Sequence, residues 1–267
     1  MTKPAKPQQQ FSVVFEDEYI IAVNKASGIA VSADRWDSTE QRLDILVAET
    51  LPAGSKIFKV HRIDKDTSGL VVFAKNQSLH RILSLAFETR QIQKIYIACV
   101  HGRPSWKETD CDLPLVPNGN KKHMTIIDKY QGKKSLTHFT LLGSAGNYSI
   151  LEVRPQTGRT HQIRVHAAAL GIPIVCDSMY GNNKPVLLSA FKRNWRGDPF
   201  DEKPLLARLG LHAAELHIPA GILSKTENES DEHSGAHNNS AVNGLKLNAP
   251  LPRDMAALIK QMEKQYK

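Results

Sequence analysis

A run of charged residues, HRIDKD at positions 61–66, stands next to the apolar segment LVVFA at positions 70–74. A carboxylate such as Asp64 can act as a nucleophile at a sugar carbon, as in retaining glycosidases. An arginine within a few ångströms of such a carboxylate keeps it ionised at neutral pH. Asp64 and Asp66 also have a purely structural interpretation, because short polar side chains shape turns by bonding the local backbone. Local composition alone favours the structural interpretation.

The apolar segment predicts a strand that carries this loop. It is too short for a typical helix, and Gly69 and Asn76 bound it, so it is typical of a strand buried on both faces. Residues 66–69, Asp-Thr-Ser-Gly, have the composition of a turn. A polar loop at the end of a rigid buried strand is a common location for a functional site.

Hairpin-like strand pairs dominate the remaining pattern. The segments FSVVFE and YIIAVNK predict a first hairpin, and SLTHFTLLG with NYSILEVRPQ predicts a second. KIYIACVHG (94–102) and IPIVCD (172–177) are two more predicted strands. Helices are predicted from an Asn76 N-cap to about Arg90, within 157–171, and from about Pro252 onwards. This arrangement favours a mixed α+β fold over a doubly wound sheet.

Composition excludes several classes of protein. No window approaches 18 consecutive apolar residues, and the N-terminus MTKPAKPQQQF lacks the apolar region of a signal peptide, so we expect a cytoplasmic protein without a membrane span. Three widely spaced cysteines are typical of reduced thiols, and indicate neither a disulfide framework nor a zinc site. A net charge of +8 and a pI of about 9.3 favour a polyanionic partner, most commonly nucleic acid.

Familiar metal and nucleotide motifs are absent from the sequence. No His-Glu-x-x-His, phosphate-loop, dinucleotide-binding or Gly-x-Ser-x-Gly pattern occurs, and His161 and His166 are five residues apart, on different faces of a helix. We therefore expect no metal. The residues that remain for chemistry are a carboxylate, three arginines and a strand tyrosine: Asp64, Arg62, Arg159, Arg164 and Tyr96.

Four segments resemble the motifs of the RluA-type pseudouridine synthases. HRIDKDTSGLVVFAKN (61–76) is similar to the family signature His-Arg-Leu-Asp-x-x-Thr-Ser-Gly-Leu, with Ile63 in place of Leu. IIAVNKASGIAV resembles the first motif, with Ala26 in place of Pro, and KIYIACVHG resembles the Lys-x-Tyr strand. GRTHQIRVHAAALGIPIVCDSMYG (158–181) resembles the Arg-x-His-Gln-Ile-Arg-x-His motif and its Gly-Asp-x-x-Tyr-Gly ending, with Cys176 where Gly is usual. The resemblance covers about residues 11–255.

This resemblance implies the pseudouridine-synthase fold, an α+β fold whose mixed, mainly antiparallel central sheet is flanked by helices and loops. It also implies isomerisation of uridine to pseudouridine in RNA, which needs no cofactor because substrate and product are isomers of equal oxidation state. In family terms Asp64 is the catalytic aspartate, Tyr96 packs beneath the uracil and later assists proton removal, and Arg164 pairs with Asp64. Arg62 enters the RNA stack or holds the flipped site open.

Further substrate contacts are expected from Arg159, Thr160 and His161, which lie in the last motif, whereas Thr67, Ser68 and His61 are interpreted as loop architecture. Trp195, among basic residues, has two interpretations: it stacks on an RNA base, or it packs its own loop onto the protein.

One catalytic domain is expected over residues 11–255, interrupted by a flexible polar loop at 224–243. Residues 1–10 are expected to form a flexible tail, too short for a separate RNA-binding domain, and 256–267 to end the C-terminal helix. We expect a monomer that recognises a ribosomal or transfer RNA stem-loop through residues 118–134 and 182–205, with ribosomal RNA slightly favoured. Two alternatives stay open: a non-catalytic RNA-binding module and a nucleoside hydrolase.

Overall fold

The computed structural model describes residues 9–33, 41–120, 124–192, 194–223 and 244–265. The predicted flexible loop at 224–243 lies outside the described residues, and so does the predicted tail apart from residues 9 and 10.

Twelve strands and four helices form the described part of the chain. The strands are β1 Phe11–Glu16, β2 Ile20–Lys25, β3 Phe58–Lys59, β4 Ser68–Ala74, β5 Gln93–His101, β6 Glu108–Cys111, β7 Leu115–Val116, β8 Ile126–Ile127, β9 Thr137–Ala145, β10 Tyr148–Pro155, β11 Leu211–Ile218 and β12 Leu245–Asn248. The helices are α1 Leu43–Ala48, α2 Gln77–Glu88, α3 Gln162–Ala169 and α4 Arg253–Glu263.

One large sheet organises the molecule. Its strand order is β1-β2-β4-β11-β5-β10-β9-β6, with β12 beside β11 and β3 beside β4, and β7 and β8 form a separate pair. The β4–β11 pair is parallel, and the other strand pairs of the described chain are antiparallel. The predicted α+β fold with a mixed, mainly antiparallel sheet is therefore confirmed.

The β4 strand lies in the interior of this sheet, between β2 and β11, and all seven of its residues are buried, as its continuous apolar sequence predicts. Helix α2 begins at the predicted N-cap, where the Asn76 side chain accepts a hydrogen bond of 2.8 Å from the Leu79 amide. Leu79, Leu83 and Ala86 then bury one face of α2. Burial on both faces holds β4, and the loop before it, in a fixed position.

The prediction of a strand at 172–177 is wrong. In this segment only Ile174 forms a bridge, with Val100 of β5, before the chain turns. The turn places Cys176 at φ 57°, in the left-handed region that favours glycine. This conformation is incompatible with a strand, and it explains why a Gly is usual before Asp177 in the motif that this segment resembles.

Two observations bear on the expected class of protein. None of the helices in the described ranges is long and apolar enough to cross a bilayer. Cys99, Cys111 and Cys176 are free thiols and are buried.

Candidate active site

The loop before β4 positions the Asp64 carboxylate. The Thr67 amide donates a hydrogen bond of 3.1 Å to the Asp64 carbonyl, which closes the turn. Gly69 follows with φ 115°, and a Cβ at this position would overlap the backbone of Ala213 in β11. Only glycine satisfies both conditions, because it tolerates positive φ and leaves room for the neighbouring strand.

The end of β2 and the segment after it also hold this loop in place. The Lys25 ammonium is 1% exposed and donates hydrogen bonds to the carbonyls of Lys65 (2.8 Å) and Ala26 (2.9 Å). The Gly28 amide also bonds to the Lys65 carbonyl, and the Ser27 hydroxyl bonds to the Asp66 carbonyl. Burial lowers the pKa of Lys25 to about 7, although the nearby Asp66 and Asp64 charges oppose the shift.

A cavity of about 370 Å³ opens in front of Asp64. Its wall combines the loop before β4, the start of β5 and the loop that leads into α3. Seven of the eight predicted site residues line it: Arg62, Asp64, Tyr96, Arg159, Thr160, His161 and Arg164. Residues that are spread over about a hundred positions of the sequence thus line one cavity.

Arg164, on α3, lies between two carboxylates. It is 3% exposed and makes two hydrogen bonds of 2.8 Å to Asp177, from Nε and Nη2. Its third nitrogen, Nη1, lies 3.7 Å from Asp64 Oδ2. Burial opposes the charge of Arg164, but the hydrogen bond and charge of Asp177, with Asp64, raise its pKa above the ordinary value. Arg164 therefore forms a shorter ion pair with Asp177 than with Asp64, its expected partner.

Tyr96 reaches the cavity from β5. Burial, and then the Asp64 charge, raise the pKa of its phenol above the ordinary value, so at neutral pH the phenol keeps its proton. The flat side chain can therefore support a planar base without adding charge to the site.

The three residues that precede α3 also line the cavity. Arg159 donates two bonds of 3.2 Å to the Lys134 carbonyl, and Thr160 is exposed. His161 has φ 52°, a conformation that costs a non-glycine residue roughly 1 kcal/mol, and its Nδ1 lies 2.9 Å from the Tyr180 hydroxyl. Burial lowers the pKa of His161, although the Asp64 charge opposes the shift.

Trp195 lies elsewhere. It is half-buried and does not line the cavity, and its ring occupies the space that a Cβ on Gly197 of the same loop would need. The contact with Gly197 lies within the loop of Trp195 itself, so packing of this loop onto the protein and stacking on RNA both stay predictions.

Two residues that complete the site, Asp177 and Tyr180, were not predicted from the sequence. Asp177 orients Arg164, and the Tyr180 hydroxyl joins His161 to the Thr125 amide while its ring lies 5.2 Å from the Arg164 guanidinium. Both residues belong to the Asp-x-x-Tyr-Gly ending of the last motif, so the sequence did contain a signal for them. Their roles depend on a contact between α3 and the turn after it, which spacing alone does not reveal.

The arrangement suits chemistry by a partly buried carboxylate. The Asp64 side chain is 21% exposed, so its oxygens remain accessible from the cavity. The Thr67 hydroxyl, also on the wall, is buried and has no hydrogen-bond partner among the described residues. Within those residues no group of three or more His, Cys, Asp or Glu side chains is placed to hold a metal ion.

Comparison with known proteins agrees with this geometry. Residues 19–169 match the family model described as RNA pseudouridylate synthase. The chain is 37% identical to the ribosomal large subunit pseudouridine synthase D of Zymomonas mobilis, over 98% of this chain and 77% of that protein. It is 35% identical to the dual-specificity RNA pseudouridine synthase RluA of Vibrio vulnificus, over 76% of each chain.

Among solved structures, the human RNA pseudouridylate synthase domain containing 4 superposes with a TM-score of 0.67 at 20% identity, over 94% of this chain and 92% of that one. This similarity extends the agreement to the fold. The shared fold, the matched family model and the identity to relatives over most of this chain lead to one conclusion: the chain belongs to the RluA-type RNA pseudouridine synthases, isomerases that convert uridine in RNA to pseudouridine.

Proposed function

We propose that this protein converts specific uridines in structured RNA, ribosomal RNA in particular, and that Asp64 is its catalytic carboxylate. The observation that carries the proposal is the position of Asp64: a partly exposed carboxylate on a rigid loop, with Arg164 at 3.7 Å and Tyr96 on the same cavity wall. The catalytic domain is taken to span residues 11–255.

The reaction exchanges one bond for another at the sugar. The bond from ribose C1′ to uracil N1 breaks, the uracil turns within the cavity, and C1′ joins C5. N1 gains a proton and C5 loses one, so atoms and charge balance within the nucleotide. Asp64 supplies the carboxylate that this exchange requires, and Arg164 keeps it ionised and oriented. Tyr96 supports the uracil and assists removal of the C5 proton.

The cavity must also keep the detached uracil from water and from escape. Its walls enclose about 370 Å³ between the Asp64 loop and the start of α3. Bound RNA closes the open side, because the uridine enters as a flipped nucleotide. Retention of the base separates an isomerase from a nucleoside hydrolase, which would release free uracil.

Ribosomal RNA is the proposed substrate class because the relative from Zymomonas mobilis is named for the ribosomal large subunit. A net charge of +8 supports a polyanionic substrate in general. Contacts are proposed from residues 118–120 and 124–134 and from the described part of 182–205.

The test combines mapping with one substitution. Purified protein is incubated, in EDTA, with total RNA from a strain that lacks this gene, and pseudouridine is mapped. We expect new pseudouridine at defined uridines of ribosomal RNA and no free uracil. Asp64→Asn, which removes the charge with little change of shape, should abolish turnover and retain RNA binding. Unchanged turnover would refute the role of Asp64, free uracil would indicate a hydrolase, and binding without modification by the wild-type protein would indicate a binding module.

A further inference from the structure

A second, smaller cavity of about 120 Å³ lies beside the active-site cavity. Its lining includes three cations and no carboxylate: Arg90, Ile92, Gln93, Lys94, Ile95, Arg154, Pro155 and Gln156. Lys94 and Pro155 line both cavities, so they form the wall between them. The small cavity is therefore a positively charged extension of the site in which Asp64 lies.

Of the three cations, only Lys94 is half-buried, whereas Arg90 and Arg154 are exposed. Among the residues that the structure describes, its ammonium group has neither an ion-pair partner nor a hydrogen-bond acceptor. A Cβ on Gly158, in the loop before α3, would lie 3.6 Å from Lys94 Nζ, so the charge is at the rim of the active-site cavity. Burial, and then the Arg90 charge, lower the pKa of Lys94 below its ordinary value. An anion beside Lys94 would stabilise its charged form and so oppose this lowering of the pKa.

The other two cations differ in their partners. Arg154 already forms an ion pair of 2.8 Å with Glu152. Arg90 follows α2 and is exposed, with φ 63°. Together with Lys94 they surround a space with cations on several sides, which is an arrangement that attracts a multiply coordinated anion. Lys94 is half-buried without a carboxylate partner, which is costly, so the free protein is preorganised for such an anion.

RNA supplies an anion at a suitable place. Every uridine in an RNA chain is flanked by two phosphates, and a uridine whose base enters the cavity brings at least one phosphate to its rim. We propose that the small cavity is a phosphate subsite, in which Lys94 and Arg90 bind a backbone phosphate next to the flipped uridine. This inference rests on the proposed function and adds an anchor for the backbone to the contacts made with the base.

The first test removes the charge from each partner of the proposed contact, first from the phosphate and then from Lys94. Stem-loops that contain the mapped uridine are prepared with one phosphate at a time, on either side of it, replaced by an uncharged methylphosphonate. For the wild-type protein, one particular replacement should weaken binding about tenfold. Lys94→Gln should weaken binding of the unmodified stem-loop by a similar factor, and that one replacement should then have no further effect.

Control variants keep this test falsifiable. Lys94→Arg retains the charge and should bind within about threefold of the wild-type protein. Lys56→Gln removes an exposed lysine that lines a different groove with Asp44 and Glu49, and should leave every affinity unchanged. If Lys94→Gln binds as the wild-type protein does, or remains fully sensitive to each replacement, the subsite does not exist. Thermal unfolding of each variant shows whether it is folded.

A second test does not need a known target uridine. The protein is acetylated with acetic anhydride in the presence and absence of total RNA, and each lysine is followed by mass spectrometry. Lys94 should lose most of its labelling when RNA is present, and Lys56 should not. Labelling of Lys94 that is unaffected by RNA would overturn the inference. Absence of pseudouridine from every RNA would instead refute the proposed function, so the two failures are distinguishable.

Discussion

At the scale of single residues, the site depends on how one arginine is shared. Arg164 has three nitrogens, of which two bond to Asp177 and one faces Asp64. The bidentate pair with Asp177 is buried on both sides, and planar fork geometry of this kind fixes the orientation of a guanidinium. Asp177 therefore sets the direction in which Arg164 presents its remaining charge to Asp64.

Asp177→Asn should affect both stability and turnover. The change leaves the buried Arg164 charge without its main partner, so the free energy of unfolding should fall by about 3 kcal/mol, and turnover should fall because Arg164 loses its orientation. Urea unfolding and single-turnover kinetics measure the two effects. Asp64→Asn is the matched control: at 3.7 Å and partly exposed, Asp64 should contribute less than about 1 kcal/mol. Equal destabilisation by both variants would contradict this assignment.

Arg62 should matter most when the RNA is folded. It is exposed at the cavity, two residues before Asp64, where it can occupy the space that a flipped uridine leaves. Removal of a base from a stack costs roughly a few kcal/mol. Arg62→Ala should therefore reduce turnover of a stem-loop at least about tenfold more than turnover of an unstructured oligonucleotide. Kinetics on the two substrates measure this ratio, and a ratio near one would remove the flipping role.

At the scale of elements, the turn between β8 and β9 presents an aromatic ring to solvent. Tyr130 is 99% exposed, and the Asp128 side chain accepts hydrogen bonds from the amides of Tyr130 (2.8 Å) and Gln131 (2.9 Å), which fixes the turn. The nearby residues Lys129, Lys133 and Lys134 are exposed, and the Lys134 carbonyl is bound by Arg159 at the cavity mouth. An exposed ring among lysines is typical of a surface that stacks on unpaired bases.

Tyr130→Ala should weaken RNA binding by about 1–3 kcal/mol, the range measured for loss of one stacked base. Tyr130→Phe should restore it, because stacking needs the ring and not the hydroxyl. Leu142→Ala is the control, since Leu142 is also an exposed apolar side chain (55%) but lies on β9, outside the proposed contact segments. Filter binding at several salt concentrations makes the comparison, and equal effects of Tyr130→Ala and Leu142→Ala would exclude a specific role for the turn.

The elements also show what sequence can and cannot predict here. The β4 strand and the Asn76 cap were predictable because their signals, an uninterrupted apolar run and a side chain that bonds the nearest amides, are local. The IPIVCD segment has an equally apolar sequence, yet it turns, because Cys176 adopts a left-handed conformation beneath Asp177. Contacts between distant segments, such as Lys25 with the Lys65 carbonyl, leave no local signal.

At the scale of the whole molecule, buried histidines link stability to pH. His212 on β11 is fully buried, with Nδ1 at 3.0 Å from the Ser68 hydroxyl and Nε2 at 3.2 Å from the Ala249 carbonyl. Burial lowers its pKa to about 4, below the ordinary 6.5. As the pH falls, His212 is therefore protonated at a higher pH in the unfolded chain than in the folded protein.

The free energy of unfolding should accordingly decrease as the solution becomes acidic. The contribution of His212 is complete above about pH 6.5 and is lost as the pH falls towards 4, with a slope of up to about 1.4 kcal/mol per pH unit. His212→Gln should be less stable than the wild-type protein at pH 7 but should lose stability less steeply between pH 6.5 and 4. Urea unfolding across this range measures both slopes, and identical slopes would show that other groups govern the acid transition.

The position of β11 has a consequence for synthesis of the protein. This strand joins β4 to β5, although 143 residues separate Ser68 from Leu211. Asp64 precedes β4, which lies on one side of β11, and Tyr96 and Arg164 belong to elements on the other side of β11. A nascent chain on the ribosome therefore cannot join the two parts of the site until β11 has emerged, since a long-range strand pair closes late. We expect a chain that lacks β11 to be inactive, so that each molecule first meets RNA as a catalyst only after β11 has been translated.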